Sequence, residues 1–156
     1  MDLDIIQQQL IHMLDGSQAH ITFPKAIENF PLDKINTHID GVPYTPWEIV
    51  EHMRITQLDI LEYLKSPNYK ELKFPREYWP AKGKVATADD WNASVKHINI
   101  DLQALKEIAV NRDTDFTSPL VHNANHNIFR EILIMGNHNS YHTGQILIFK
   151  RALHIY

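Results

Sequence analysis

The sequence contains no cysteine among its 156 residues. This absence excludes disulfides, thiolate zinc sites and a cysteine nucleophile together, so histidine and carboxylate remain as the candidate metal ligands. It also has no run of lysine or arginine, and its net charge is -4. A nucleic-acid partner would require a basic patch, which such a composition does not provide. We therefore expect no nucleic-acid partner.

Long apolar runs are also missing. Unbroken stretches such as Ile132-Leu133-Ile134-Met135 are far shorter than the roughly 20 residues that a membrane span needs. The first ten residues, MDLDIIQQQL, are acidic where a secretory signal would be basic. We therefore predict a cytoplasmic protein with no membrane partner.

Helical periodicity dominates what is present. Apolar residues recur at helical spacing in four long segments, and turn residues separate them. The clearest start is Thr45-Pro46-Trp47-Glu48, which combines an N-cap threonine, a proline at the first helical position and a glutamate that completes a capping box. The predicted long helices span about residues 3–14, 46–65, 88–109 and 127–153, and a short one lies near 25–30.

These elements predict one all-α domain, a four-helix bundle with long connections that covers residues 1–156. The connection over residues 66–86 is too long for a simple turn and carries several aromatic residues. A connection of this kind usually covers a site or binds a ligand. Tyr78 and Trp79 within it are candidates for a substrate wall, although packing is the commoner role of such residues.

The ten histidines include two pairs at four-residue spacing, His138/His142 and His122/His126. Such spacing alone is common by chance in a histidine-rich chain. The first pair lies within the last predicted helix, where residues four apart share one face. We expect that face to point into the bundle and Asn139, beside it, to face outward. The second pair lies in a polar segment and is expected to be a solvated loop.

A stable metal site needs a third ligand from another helix. His52 stands at the edge of the apolar stripe of the second long helix. Periodicity alone slightly favours a core-edge histidine that bonds a backbone carbonyl, with metal ligation as the alternative. Asn139 stands where metalloprotease helices of the His-Glu-x-x-His type carry their catalytic glutamate, so the sequence does not fit that class.

This arrangement resembles the DinB/YfiT-like family. The resemblance rests on WEIVEH, which ends at His52, and on HNSYHTGQI, which contains His138 and His142, and it extends over nearly the whole chain. It implies a four-helix bundle in which these three histidines bind one divalent ion with open positions for water or substrate. It also implies a small-molecule substrate and a homodimer, and family members include thiol-dependent S-transferases and an isomerase.

Three hypotheses for the chemistry follow. The first is an enzyme that uses the ion to activate a low-molecular-weight thiol for S-transfer; the second is a hydrolase in which metal-bound hydroxide attacks; the third is a non-catalytic metal-binding or ligand-binding protein. The ion is expected to be zinc or nickel, with iron(II) or cobalt as alternatives. Candidate proton shuttles are His20 and Glu131, with Glu48 as a further one.

Overall fold

The computed structural model describes residues 3–155, which form helices and no strand. The helices are α1 (Leu3–Asp15), α2 (Phe23–Ile27), α3 (Pro46–Lys65), α4 (Ala88–Val110) and α5 (Ile128–Ala152), with 3₁₀ turns at Leu32–Lys34 and Arg76–Tyr78. The predicted all-α class is confirmed, and the four long helices begin and end within two residues of the predicted bounds. No helix in the described range is both long enough and apolar enough to cross a bilayer.

Capping boxes begin α3 and α4. The Glu48 amide donates to Thr45 Oγ1 over 3.2 Å, and the Thr45 amide donates to Glu48 Oε2 over 2.8 Å, as the sequence predicts. At α4 the same exchange joins Thr87 and Asp90, with the Thr87 amide 2.8 Å from Asp90 Oδ2. The sequence indicated only the threonine there, because the usual motif carries glutamate or glutamine at this position.

The short helix α2 lies earlier than expected. It was predicted near residues 25–30 and instead spans Phe23–Ile27. Its start follows from Thr22 as N-cap and Pro24 in the first turn, where a missing amide hydrogen costs nothing. Asn29 takes a positive φ of 56°, a left-handed conformation that a continuing helix cannot include.

The long helices pack around one another in pairs. Helix α3 contacts α4 and α5, and α1 contacts the same two helices from the other side. Gly136 permits the close approach of α1 to α5, since a Cβ atom there would lie 2.6 Å from Met13 Cγ and 3.0 Å from the Met13 carbonyl oxygen. Helix α2 covers α5. Each long helix therefore buries its apolar stripe between two neighbours.

Two apolar clusters fill the interior. The first includes Trp47, Ile49, Met53, Ile98, Ile146 and Phe149, and the second includes Leu10, Leu14, Leu61, Leu105, Ile132 and Met135. Between them, the buried residues of α3, α4 and α5 are polar: Thr56, Gln57, Asp101, Asn139, His142 and Thr143. A buried polar layer costs stability unless its groups find partners, so the hydrogen bonds of these residues bear directly on the fold at this level.

Candidate metal centre

The structure brings together the three histidines that the sequence singled out. His52 comes from α3, and His138 and His142 come from successive turns of α5. Each offers a ring nitrogen within 4.8 Å of the other two, and the ring centroids lie 4.4 to 5.0 Å apart. His52 and His142 are buried and His138 is half-buried. This cluster could hold a metal ion.

Hydrogen bonds on the outer side of the cluster fix two of the rings. His52 Nδ1 donates to the carbonyl oxygen of Tyr78 over 2.6 Å, and His142 Nδ1 donates to Gln145 Oε1 over 2.6 Å. A neutral imidazole carries one ring proton, so both Nε2 atoms are left as lone pairs. Metal-binding histidines are commonly oriented in this way by a carbonyl or carboxylate on the second nitrogen.

The ring nitrogens of His138 are not both satisfied by hydrogen bonds within the cluster. Its Nε2 lies 3.1 Å from Nε2 of His52, while its buried Nδ1 has no hydrogen-bond partner. If Nε2 carries the proton, Nδ1 is a buried acceptor without a donor; if Nδ1 carries it, two lone pairs face each other. Two nitrogens bound to one tetrahedral zinc ion would lie roughly 3.4 Å apart, close to the observed separation. The donor set therefore fits a divalent ion.

The environment keeps all three rings neutral. Burial lowers the pKa of His138 to about 3, and the neighbouring imidazoles of His142 and His52 lower it further. Burial also lowers the pKa of His142 to about 4 and lowers the pKa of His52. Only the neutral ring can donate a lone pair to a metal, so the three candidate ligands are in the competent state at neutral pH.

The connection before α4 covers this centre. Trp79 stacks on His52 with ring centroids 4.0 Å apart and an angle of 5°, and Tyr44 stacks on the other face of Trp79 at 3.9 Å. Tyr78 contributes the carbonyl that accepts from His52. The two aromatic residues predicted as a substrate wall are thus in direct contact with a candidate ligand and hold its ring in place.

The expectation that Asn139 faces outward is wrong. It is buried, and its Nδ2 donates to Gln57 Oε1 over 2.9 Å, while Gln57 Nε2 donates to the carbonyl oxygen of Ile98 over 2.6 Å. Gln57 therefore links α3, α4 and α5 at the level of the histidines. Its bond to Asn139 fixes the position of α5 along the axis of α3. The sequence feature that could have indicated this buried amide pair is a glutamine on the apolar stripe of α3, four residues after Met53 and four before Leu61.

The candidate proton shuttles lie elsewhere. Nδ1 of the exposed His20 donates to the Ile21 carbonyl, and His20 Nε2 lies 2.9 Å from Ser140 Oγ. Glu131 is buried two turns before His138, where it pairs with Arg130. Glu48 is engaged in its capping box. Among residues 3–155, none of the three candidates forms a hydrogen bond or an ion pair with His52, His138 or His142.

The second histidine pair lies in a loop, as predicted. His122 is exposed, but His126 is half-buried, with its Nδ1 3.0 Å from the Tyr63 hydroxyl and 3.4 Å from Glu131 Oε1. Full solvation was therefore the wrong expectation for His126, because α3 packs against the loop. Neither residue belongs to the three-histidine cluster.

Comparison with family models, with curated proteins and with solved structures gave no significant match. Membership of the DinB/YfiT-like family thus stays a prediction that rests on the histidine pattern.

Proposed function

We propose that the chain is a divalent-metal-binding four-helix bundle of the DinB/YfiT type, and that its site activates a small thiol for transfer to an electrophile. One observation carries the proposal: three neutral imidazoles from two helices converge, and two are held from behind with their Nε2 lone pairs unprotonated. Tetrahedral zinc with three protein ligands keeps a fourth position open. Nickel suits the same donor set.

His52, His138 and His142 would hold the ion, which when bound lowers the pKa of a thiol so that the thiolate forms at neutral pH. Tyr78 and Gln145 keep the ligand rings oriented through their Nδ1 atoms. Because His52 and His142 are buried, bulk water has limited access to these two rings. Because the chain has no cysteine, the sulfur nucleophile has to come from a separate small molecule.

Metal content is the first test. Protein purified without a histidine tag should contain one divalent ion per chain, measured by mass spectrometry of the metal. His52→Ala, His138→Ala and His142→Ala should each lose most of it, because two imidazoles bind far more weakly than three. His122→Ala and His126→Ala, from the other histidine pair, should retain it. Full metal occupancy in His52→Ala would contradict the three-ligand site.

Turnover is the second test. A chlorinated aromatic compound or an epoxide should be consumed by the metal-loaded protein only when a low-molecular-weight thiol is present, with formation of a thioether. Consumption at the same rate without thiol would contradict S-transfer and favour the hydrolase. A metal-loaded protein inactive with every such pair would favour the non-catalytic binding protein. The homodimer implied by the resemblance stays a prediction, testable by light scattering.

A further inference from the structure

A cavity of about 460 Å³ lies between α3, the connection that follows it and the loop before α5. Three tyrosines, Tyr63, Tyr69 and Tyr78, form much of its wall. The rings of Tyr63 and Tyr69 meet nearly at right angles, with centroids 4.9 Å apart and an angle of 69°, and His122 lies against both at 5.4 and 5.7 Å. The faces of aromatic rings attract cations through their ring quadrupoles.

A carboxylate lies at the same wall. Asp59 accepts hydrogen bonds from the hydroxyls of Tyr69 and Tyr78, each over 2.7 Å. Burial and the charge on Asp59 raise the pKa of both phenols, so they remain neutral donors. Two neutral donors orient the carboxylate without cancelling its charge.

Inside the cavity, no cationic side chain of the described residues pairs with that charge; Arg54 and Lys70 line a neighbouring pocket that shares Asp59, without an ion pair to it. The residues that line the cavity include no lysine or arginine. Asp59 also forms no ion pair with any residue between positions 3 and 155. The wall holds two further carboxylates: Glu131 is paired with Arg130, and Glu71 forms no ion pair with a described residue. The cavity therefore presents Asp59 as an oriented carboxylate without an ion-pair partner, and Glu71 as a second unpaired carboxylate, beside the Tyr63 and Tyr69 rings.

We propose that this cavity binds a small organic cation, an alkylammonium or quaternary ammonium group, between the Tyr63 and Tyr69 rings and the carboxylate of Asp59. The proposal goes beyond the metal centre and stands without it, since none of the three histidines lines the cavity. The two sites are nevertheless neighbours: Tyr78 lines the cavity and accepts from His52, and Thr56 Oγ1, also in the wall, lies 3.5 Å from His52 Nδ1.

The first experiment needs no variant. Choline and 3,3-dimethylbutan-1-ol have the same shape and differ in the charge on one atom, so their affinities isolate the contribution of the cation. In titrations followed by NMR, with and without bound metal, choline should bind saturably and the alcohol at least about tenfold more weakly. Equal affinities, or no saturable choline binding, would overturn the proposal. Failure of metal binding would leave this result unchanged.

The second experiment locates the site. Asp59→Asn should weaken choline binding by about tenfold or more, because it removes the charge and keeps the shape. Glu62→Gln makes the same change in net charge three residues later on α3, at an exposed position outside the cavity, and should leave the affinity within about twofold. Equal weakening in the two variants would overturn the assignment.

Tyr63→Leu, checked for folding by circular dichroism, should also weaken choline binding, because it removes one of the two aromatic rings. Unchanged affinity in this variant would overturn the aromatic part of the proposal.

Discussion

The buried histidines should make the metal-free protein sensitive to mild acid. In the folded chain the pKa of His138 is about 3 and that of His142 about 4, whereas free histidine titrates near 6.5. Below about pH 6.5 the unfolded chain therefore binds protons at these histidines that the folded chain does not bind. The stability that these neutral histidines contribute is therefore fully present above the pKa of the unfolded chain. It is lost as the pH falls towards their pKa values in the folded chain.

The magnitude follows from the distance between the pH and the unfolded pKa. A pH of about 5 is roughly 1.5 units below the pKa of a histidine in the unfolded chain, whereas the buried ring in the folded chain is still neutral. At about 1.4 kcal/mol per unit, each of the two histidines lowers the free energy of unfolding by about 2 kcal/mol. Together they remove about 4 kcal/mol, a large share of the roughly 5–15 kcal/mol that stabilises an ordinary domain. The lowered pKa of His52 adds to this loss.

Urea unfolding of the metal-free protein at about pH 7.5 and about pH 5 measures the effect. His142→Gln replaces the titrating ring with a neutral amide and should reduce the pH-dependent loss by about 2 kcal/mol. His38→Gln removes an exposed histidine remote from the cluster in sequence and should leave the loss as in the wild type. An identical pH dependence in His142→Gln and the wild type would refute the burial of a neutral imidazole at this position.

Three further predictions concern metal, ligand orientation and packing. Chelation should leave the circular dichroism spectrum helical and lower the melting temperature, because both apolar clusters are independent of the ion; a random-coil spectrum would contradict this. Gln145→Leu removes the acceptor of His142 Nδ1 and should weaken metal binding about 10- to 100-fold in a competition titration, whereas unchanged affinity would show that the bond is incidental. Gly136→Ala should lower the free energy of unfolding by about 1–3 kcal/mol because its Cβ meets the Met13 backbone. Gly144→Ala, on the same helix with open space around the added Cβ, should raise it by about 0.5–1 kcal/mol, so equal effects of the two changes would contradict the close approach.

Local signals carried most of the helix prediction. Thr45, Pro46 and Glu48 lie within four residues, and each satisfies or removes a backbone group at the start of α3. Such a motif can be recognised in the sequence because its hydrogen-bond partners are close together in the chain. The short helix α2 was misplaced because Glu28 leaves the helical conformation with a ψ of 128° and Asn29 then takes a positive φ, and the neighbouring residue types do not indicate this change of direction.

The site combines a local signal with a distant one. His138 and His142 share a helix face by geometry, so their proximity followed from spacing alone. His52 lies 86 positions before His138, and only the packing of α3 on α5 brings the two Nε2 atoms to 3.1 Å. Periodicity predicted a histidine bonded to a backbone carbonyl, and the structure shows that bond, to Tyr78. The same bond orients His52 towards the other two rings, so the two interpretations of His52 are compatible.

Gln57 and Asn139 show which signal was overlooked. Each is a polar residue four positions from a buried methionine on the apolar stripe of its helix, Met53 on α3 and Met135 on α5. A lone polar residue on such a stripe is costly, whereas two on facing helices can satisfy one another. Their bond fixes how far α5 slides along α3, and a shift of one residue would move His138 by about 1.5 Å relative to His52. The geometry of the three-histidine cluster thus depends on an amide pair that lies outside the cluster.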